Sequence, residues 1–316
     1  MAEESSLAPA RAPAEGSSRH RPMRIAMTGA SGFIGRALTR SLESAGHTVL
    51  PISRSAGAGR AIPWDPERGK LDPRALEGID AAINLAGENI GQRWTSEVKR
   101  RIRDSRVRGT ELLATTLARL ETPPSVLVSA SAVGIYGDRG DEILKEDSPP
   151  GNDFLAVVVQ EWEDVAEPAR EAGIRVVHPR QGVVLSPGGG ALKRLLLPFR
   201  LGIGGRIGSG MQWMSWIDRR DLVSLIGFLL ESDLAGAVNA VSPQPVRNAE
   251  FSSTLGRVLG RPAVIPTPAL LLKLLFGEMA EATLMAGQRV LPDRLLAGGF
   301  EFRYPRLHTA LEEMLR

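Results

Sequence analysis

Three glycines recur at every third position in MTGASGFIG, residues 27–35, directly behind a short apolar run. A glycine turn between a strand and a helix permits a tight reversal, close approach of the backbone to a pyrophosphate, and close packing of helix on strand. The free N–H groups of the following helix then face phosphate charge. The segment thus carries phosphate-binding chemistry, and Gly29, Ser31, Gly32, Phe33, Ile34 and Gly35 are its expected contacts. The spacing is G-x-x-G-x-x-G, not the G-x-G-x-x-G of other dinucleotide folds.

Discrimination between dinucleotides lies at the end of the second strand, where an Asp or Glu would accept from free ribose hydroxyls and select NAD(H). Here Ser53 and Arg54 occupy that position, and the next carboxylate is Asp65. Arg54 can fork onto a 2'-phosphate, and Arg36 in the first helical turn is a second candidate. A charge-assisted hydrogen bond is worth roughly 1.5–3 kcal/mol, or about 10- to 150-fold in affinity. NADP(H) is therefore the expected cofactor, ahead of NAD(H).

Other chemistries find little support. The 316 residues include no cysteine, which excludes disulfides and thiolate chemistry, and the four histidines and the carboxylates show no metal-ligand spacing. Apolar residues make up 43% and charged residues 24%, a soluble globular profile, and the formal charge is only +3. The arginines are scattered, with no basic stripe beside stacking aromatics, so no nucleic-acid partner is expected. No run of 18 uncharged apolar residues marks a membrane span, no membrane partner is expected, and a cytoplasmic monomer or homodimer is the default.

The elements that must position these groups follow from the apolar pattern. Strands are expected at residues 24–28, 48–53, 81–87, from 125 and from 174, with helices over 33–45, 98–119 and roughly 154–172. Apolar strands alternating with helices predict an α/β fold, a Rossmann-type doubly wound parallel sheet with a smaller C-terminal α/β substrate lobe. Residues 1–22 are expected to be a disordered tail or to precede the physical start at Met23. Residues 23–187, with a strand returning near 237–241, form the dinucleotide-binding domain. Residues 188–236 and 242–316 form the substrate-side lobe and C-terminal domain. Two helices are expected beyond Asn248, at 248–259 and about 268–285.

Taken together, MTGASGFIG, AAINLAGENIGQRW, IRDSRVRGTELL, SASAVGIYGDRG, NDFLAVVVQEWE, WMSWIDRRDLV and GQRVLPDRLLAGGFEFRYP resemble the epimerase-like atypical short-chain dehydrogenases, over nearly all of residues 23–316. The resemblance implies a fold like that of nucleotide-sugar epimerases and dehydratases. In active enzymes of this kind a Tyr-x-x-x-Lys pair faces the nicotinamide, with a Ser or Thr sharing the carbonyl oxygen. Aligned on Trp162 and Glu163, the Tyr position falls on Leu155 and the Lys position on Val159, and neither can move a proton. The serine position falls on Ser131. The expected cofactor contacts also take in Leu85, Ala86, Gly87 and Glu88 after the third strand, Ser129 at the end of the fourth, and Pro179 in the following strand.

Proton transfer then needs another group. Tyr136 lies five residues beyond Ser131 in the same loop, and Glu88 lies close to where a nicotinamide ribose would sit. Lys99, Arg103 and Arg106 line one face of a helix and suit a small, polar, anionic substrate. His178 reads as a core histidine. Glycines at 188–190, 204–205 and 208–210 are expected to give mobile loops over a ligand. Two functions follow: an NADP(H)-dependent oxidoreductase or epimerase-like enzyme in which Ser131, Tyr136 and Glu88 do the chemistry, or an NADPH-binding sensor with little catalysis.

Overall fold

The computed structural model describes residues 21–54 and 61–316. Strand β1 (Arg24–Thr28) runs through the glycine turn into α1 (Gly35–Ser44), and β2 (Thr48–Ser53) returns parallel to it. A short hairpin, β3 (Ile62–Asp65) and β4 (Lys70–Leu71), extends that edge, and β5 (Ala81–Asn84) pairs with the other side of β1. Helix α2 (Ser96–Ala118) then leads to β6 (Val126–Ser129), β7 (Ser131–Ala132) and β8 (Ile143–Leu144). Helices α3 (Phe154–Asp164) and α4 (Glu167–Glu171) precede β9 (Arg175–Gln181) and β10 (Val183–Leu185). Next come α5 (Gly190–Arg200), β11 (Trp213–Met214), β12 (Trp216–Asp218), α6 (Arg219–Glu231) and β13 (Gly236–Ala240). The chain closes with β14 (Val246–Arg247), α7 (Asn248–Val258), α8 (Ala269–Phe276), β15 (Arg289–Val290), α9 (Asp293–Ala297) and α10 (Leu307–Leu315).

The main sheet has the order β13-β9-β6-β5-β1-β2-β3-β4, parallel except for the β3–β4 hairpin, with β7 pairing β9. This is the expected doubly wound sheet, and its strands are apolar on both faces because helices cover both. Ile25 and Met27 of β1 pack with Leu38 of α1 and Leu222, Leu225 and Ile226 of α6. Ala26, one residue out of phase, packs with Leu113 and Leu117 of α2 and Ala169 of α4 on the opposite face. A separate core of Leu192, Phe199, Phe251, Leu255, Leu307 and Leu311 unites α5, α7 and α10 into the smaller C-terminal lobe.

Three details differ from the sequence expectation. Helix α6, assigned to the substrate-side lobe, belongs to the main sheet because its apolar face is buried there. The helix expected over 154–172 is two helices, since Pro168 at the start of α4 has no N–H to continue the ladder. The segment 268–285 is also broken: α8 ends at Gly277, whose φ of +60° leaves the helical region, and a π-helical turn follows over Ala280–Met285. Most of the expected N-terminal tail, residues 1–20, lies outside the described residues.

Candidate active site

The glycine turn sits at the C-terminal end of β1, and its shape is set by backbone contact. Gly29 has φ +69°, and a Cβ there would lie 2.7 Å from the Leu85 carbonyl. A Cβ on Gly35 would lie 2.1 Å from the Gly29 carbonyl oxygen, so only glycine lets α1 start this close to the turn. The turn closes with Gly32 N–H donating to Gly29 O at 2.9 Å. Ser31 and Gly32 are exposed, and Ile34 precedes the first helical residue without a side-chain cap. In the first turn of α1 the Arg36 N–H donates to Gly32 O at 3.1 Å and the Ala37 N–H to Ile34 O at 3.0 Å, so a ligand phosphate at this helix N-terminus would be met by the residues of the turn that precede Arg36.

A cation cluster borders the turn. Arg36 donates from Nη1 to Ser31 O at 2.6 Å, and Arg219, at the start of α6, stacks 4.9 Å from the Phe33 ring centroid. Partial burial and the neighbouring Arg40 and Arg36 lower the Arg219 pKa, with Asp218 acting in the opposite direction. Arg40 and Arg219 escaped the sequence reading. The i, i+4 spacing of Arg36 and Arg40 on α1 was the available signal for one of them. The Phe33 ring also fills the space beside Gly189, where a Cβ would lie 2.4 Å from Phe33 Cδ2. That glycine therefore marks close packing of the 186–190 loop on the turn, and Gly204 lies as close to Phe199 and Gly205 to Ile265. Ser53 ends β2 half-buried, and Arg54 follows it exposed.

Behind the turn, the strand ends are locked by a buried polar chain. Thr28 Oγ1 donates to Asn84 Oδ1 at 2.6 Å and accepts from the Leu85 and Ala86 N–H groups. Asn84 Nδ2 donates to Thr110 Oγ1 at 2.7 Å and Ser129 Oγ at 3.3 Å, and Trp162 Nε1 also donates to Thr110. Ser129 is fully buried, so its side chain is part of this brace and does not meet a cofactor. Pro179 is likewise buried within β9, in register with Val238 of β13. Both residues, expected as cofactor contacts, lie inside the sheet with buried side chains.

Past β5 the chain bends at Gly87 over Arg106, whose guanidinium carbon lies 3.3 Å from the position of an added Cβ. Arg106 donates to the Glu88 and Ile102 carbonyls, and burial lowers its pKa to about 10, with Glu88 acting in the opposite direction. Glu88 is half-buried, with Gln92 Nε2 donating to its Oε1 at 3.1 Å. The other two cations expected to face a substrate are bound elsewhere. Lys99 pairs with Glu278 at 2.8 Å, and Arg103 with Glu161 at 2.5 Å.

The Ser131 end is built from side chains. Ser131 Oγ donates to Glu163 Oε1 at 2.5 Å, and Glu163 receives two hydrogen bonds from Arg180, at 2.9 and 2.8 Å. Burial alone would raise the Glu163 carboxyl, but the Arg180 guanidinium holds it below its usual value of 4.5. Arg180 also donates to Tyr136 Oη at 3.0 Å, and Tyr136 Oη donates to Asn239 Oδ1 at 2.7 Å. Tyr136 is 0% exposed, and burial raises its pKa. This corrects its expected role: the hydroxyl is committed to a structural network and does not meet a ligand as a proton donor. Val159 is buried beside Tyr136, and the half-buried Leu155 packs near Trp94 and Phe154, so apolar side chains stand where the resemblance puts Tyr and Lys. His178 is buried, its Nε2 accepts from Arg170 Nη2 2.9 Å away, and burial lowers its pKa to about 4. Asp218 caps α6 through Arg220 N–H, and Asp221 accepts from the N–H groups of Arg303 and Tyr304, fastening the C-terminal segment to the sheet.

Among the described residues no group of His, Asp and Glu side chains is arranged to hold a metal ion. A cavity of about 380 Å³ lies between residues 138–141, 207–212 and Gly287, on the lobe side and apart from the glycine turn.

A doubly wound parallel sheet with a glycine turn and helix N-terminus at its C-terminal edge defines a dinucleotide-binding α/β protein. The chain belongs to the NAD dependent epimerase/dehydratase family, which matches residues 25–241, while residues 267–314 match a domain of unknown function. It is 43% identical over 290 residues to an epimerase family protein of Mycobacterium bovis, covering 91% of this chain and 96% of that one. The crystal structure of human epimerase family protein SDR39U1 with NADPH is similar with a TM-score of 0.87 and 40% identity, over 92% of this chain and 99% of that chain. A nucleoside-diphosphate sugar epimerase from Corynebacterium glutamicum gives a TM-score of 0.77 at 37% identity, over 93% of this chain and 58% of that chain.

Proposed function

We propose that the chain binds NADP(H) and acts as an oxidoreductase or epimerase-like enzyme on a small polar carbonyl or hydroxyl compound. The observation that carries this reading is the glycine turn flanked by Arg36, Arg40 and Arg219, with Arg54 in place of a carboxylate at the end of β2. These groups fit a dinucleotide with an additional phosphate: the glycine turn and the N-terminal end of α1 meet the pyrophosphate, and the arginines favour the extra charge. The NADPH in the human relative supports the same choice. When bound, the nicotinamide supplies hydride transfer.

The chain's own groups do the remaining work. Ser131 Oγ, whose hydrogen goes to the Glu163 carboxylate that Arg180 keeps ionised, is left to accept from a substrate hydroxyl. Glu88, half-buried beside the Gly87 bend, moves the proton. NADPH oxidation with a panel of quinones, aldehydes and keto sugars tests this. Turnover with one member, lost in Glu88→Gln with NADPH affinity retained, is the expected result. Unchanged turnover in that variant removes Glu88 from the mechanism.

The apolar Leu155 and Val159 favour a second reading, an NADPH-binding sensor with little catalysis. No NADPH decay with any panel member, combined with tight NADPH binding, is the outcome that favours it.

A further inference from the structure

The substrate-side lobe carries an apolar surface that the candidate site does not use. Leu270 and Leu274 of α8 are 78% and 72% exposed, Leu197 and Leu201 at the end of α5 are 67% and 65% exposed, and Val264 is 77% exposed. Backbone hydrogen bonds place the segments that carry these side chains beside one another. Ile265 N–H donates to Gly204 O, Thr267 N–H to Arg206 O and Gly208 N–H to Thr267 O, so the chain after α5 runs beside the chain that enters α8. Arg93 donates to the carbonyls of Leu274 and Leu275, fixing the end of α8 against the loop after β5. Large apolar side chains exposed on neighbouring segments mark an interaction surface.

The charge within these two segments is of one sign. Residues 190–217 and 251–277 contain seven cations, Lys193, Arg194, Arg200, Arg206, Arg257, Arg261 and Lys273, and no carboxylate, in a chain whose formal charge is only +3. All seven are exposed, and Arg261 Nε donates to Arg200 O at 3.1 Å, which holds two of them side by side. Lys273 pairs with Glu281 from the next turn. Two copies meeting through this face would set these cations against each other.

We propose that this face docks on the surface of an anionic lipid bilayer. The exposed leucines enter the boundary between headgroups and acyl chains, and the surrounding arginines and lysines meet lipid phosphates. No helix among the described residues is long and apolar enough to cross a membrane, so attachment is to the surface. The expectation of no membrane partner rested on the lack of a spanning segment and did not address this mode. The inner side of the same segment faces the site: Phe276 and Met279 pack with Trp94, Phe154 and Leu155.

The test is sedimentation of the full chain with phosphatidylcholine vesicles and with vesicles carrying roughly 30% phosphatidylglycerol, at about 0.1 M salt. The expected result is at least about tenfold stronger binding to the anionic vesicles, released by high salt. Leu270→Glu with Leu274→Glu, and separately Arg200→Glu with Arg261→Glu, are expected to weaken binding about tenfold while leaving the melting midpoint in place. Equal binding to both vesicles, or none to either, overturns the proposal. So does light scattering that finds a dimer which the leucine variant dissociates, because a second copy would then cover the face.

Discussion

Around the glycine turn the contacts are backbone against backbone, with Gly35 placed where a Cβ would lie 2.1 Å from a carbonyl oxygen. At the Ser131 end they are side chain to side chain, from Ser131 to Glu163, Arg180, Tyr136 and Asn239. A backbone contact admits one residue type at a fixed spacing. A side-chain network tolerates change wherever charge and hydrogen bonding stay balanced. The first region is therefore fixed by the backbone, and the second by side chains drawn from separate elements.

The comparison can be broken most severely at the turn. Gly35→Ala forces α1 away from Gly29, and the expected outcome is loss of at least about 100-fold in NADPH affinity, equivalent to roughly 2.7 kcal/mol, with a lowered melting midpoint. Retained affinity would show that the turn yields more readily than its geometry implies. At the other end, Glu163→Gln leaves the Arg180 charge buried without its carboxylate, at a cost of about 3–5 kcal/mol. Thermal unfolding should show a fall of roughly 5–15 °C. A change within about 2 °C would mean that solvent reaches Arg180.

Two smaller effects sharpen the account of the second region. His178 has a folded pKa of about 4 against an ordinary 6.5, so the unfolded chain binds the extra proton first as pH falls. Its stabilising contribution is full above pH 6.5 and is lost as pH falls toward 4, on the order of 3 kcal/mol. The Glu163 carboxyl, held below 4.5, loses its contribution at still lower pH. Melting curves at intervals between pH 7 and pH 4 should fall for the wild type and flatten for His178→Asn. Parallel curves would place the acid sensitivity elsewhere. Tyr136→Phe removes one hydroxyl from a buried network, for a loss of about 1–3 kcal/mol with NADPH affinity unchanged. A selective loss of turnover at unchanged stability would return Tyr136 to the chemistry.

The legibility of the sequence followed the same division. Strands β1 and β2 were read at their observed bounds, because a parallel strand covered on both faces is a plain apolar run bounded by turn residues. The β3–β4 hairpin went unread, since IPWDPERGKL mixes apolar, charged and turn residues with no sustained period. The glycine turn was legible because its constraint is local. Tyr136 was misjudged because the partners that bury its hydroxyl, Arg180 and Asn239, lie 44 and 103 residues away. Glu163 was visible only as an alignment landmark, since its partner Ser131 is 32 residues distant and on another element. Arg219 joins the turn through the fold alone.

The central claim is that the turn and its arginines form an NADP(H) cradle. Calorimetric titration of the purified chain with NADPH and with NADH, repeated for Arg54→Ala, tests it most directly. The account predicts NADPH affinity above NADH affinity and a loss of roughly 10- to 150-fold for NADPH alone in the variant. Equal affinities for the two dinucleotides, or binding of neither, would contradict it.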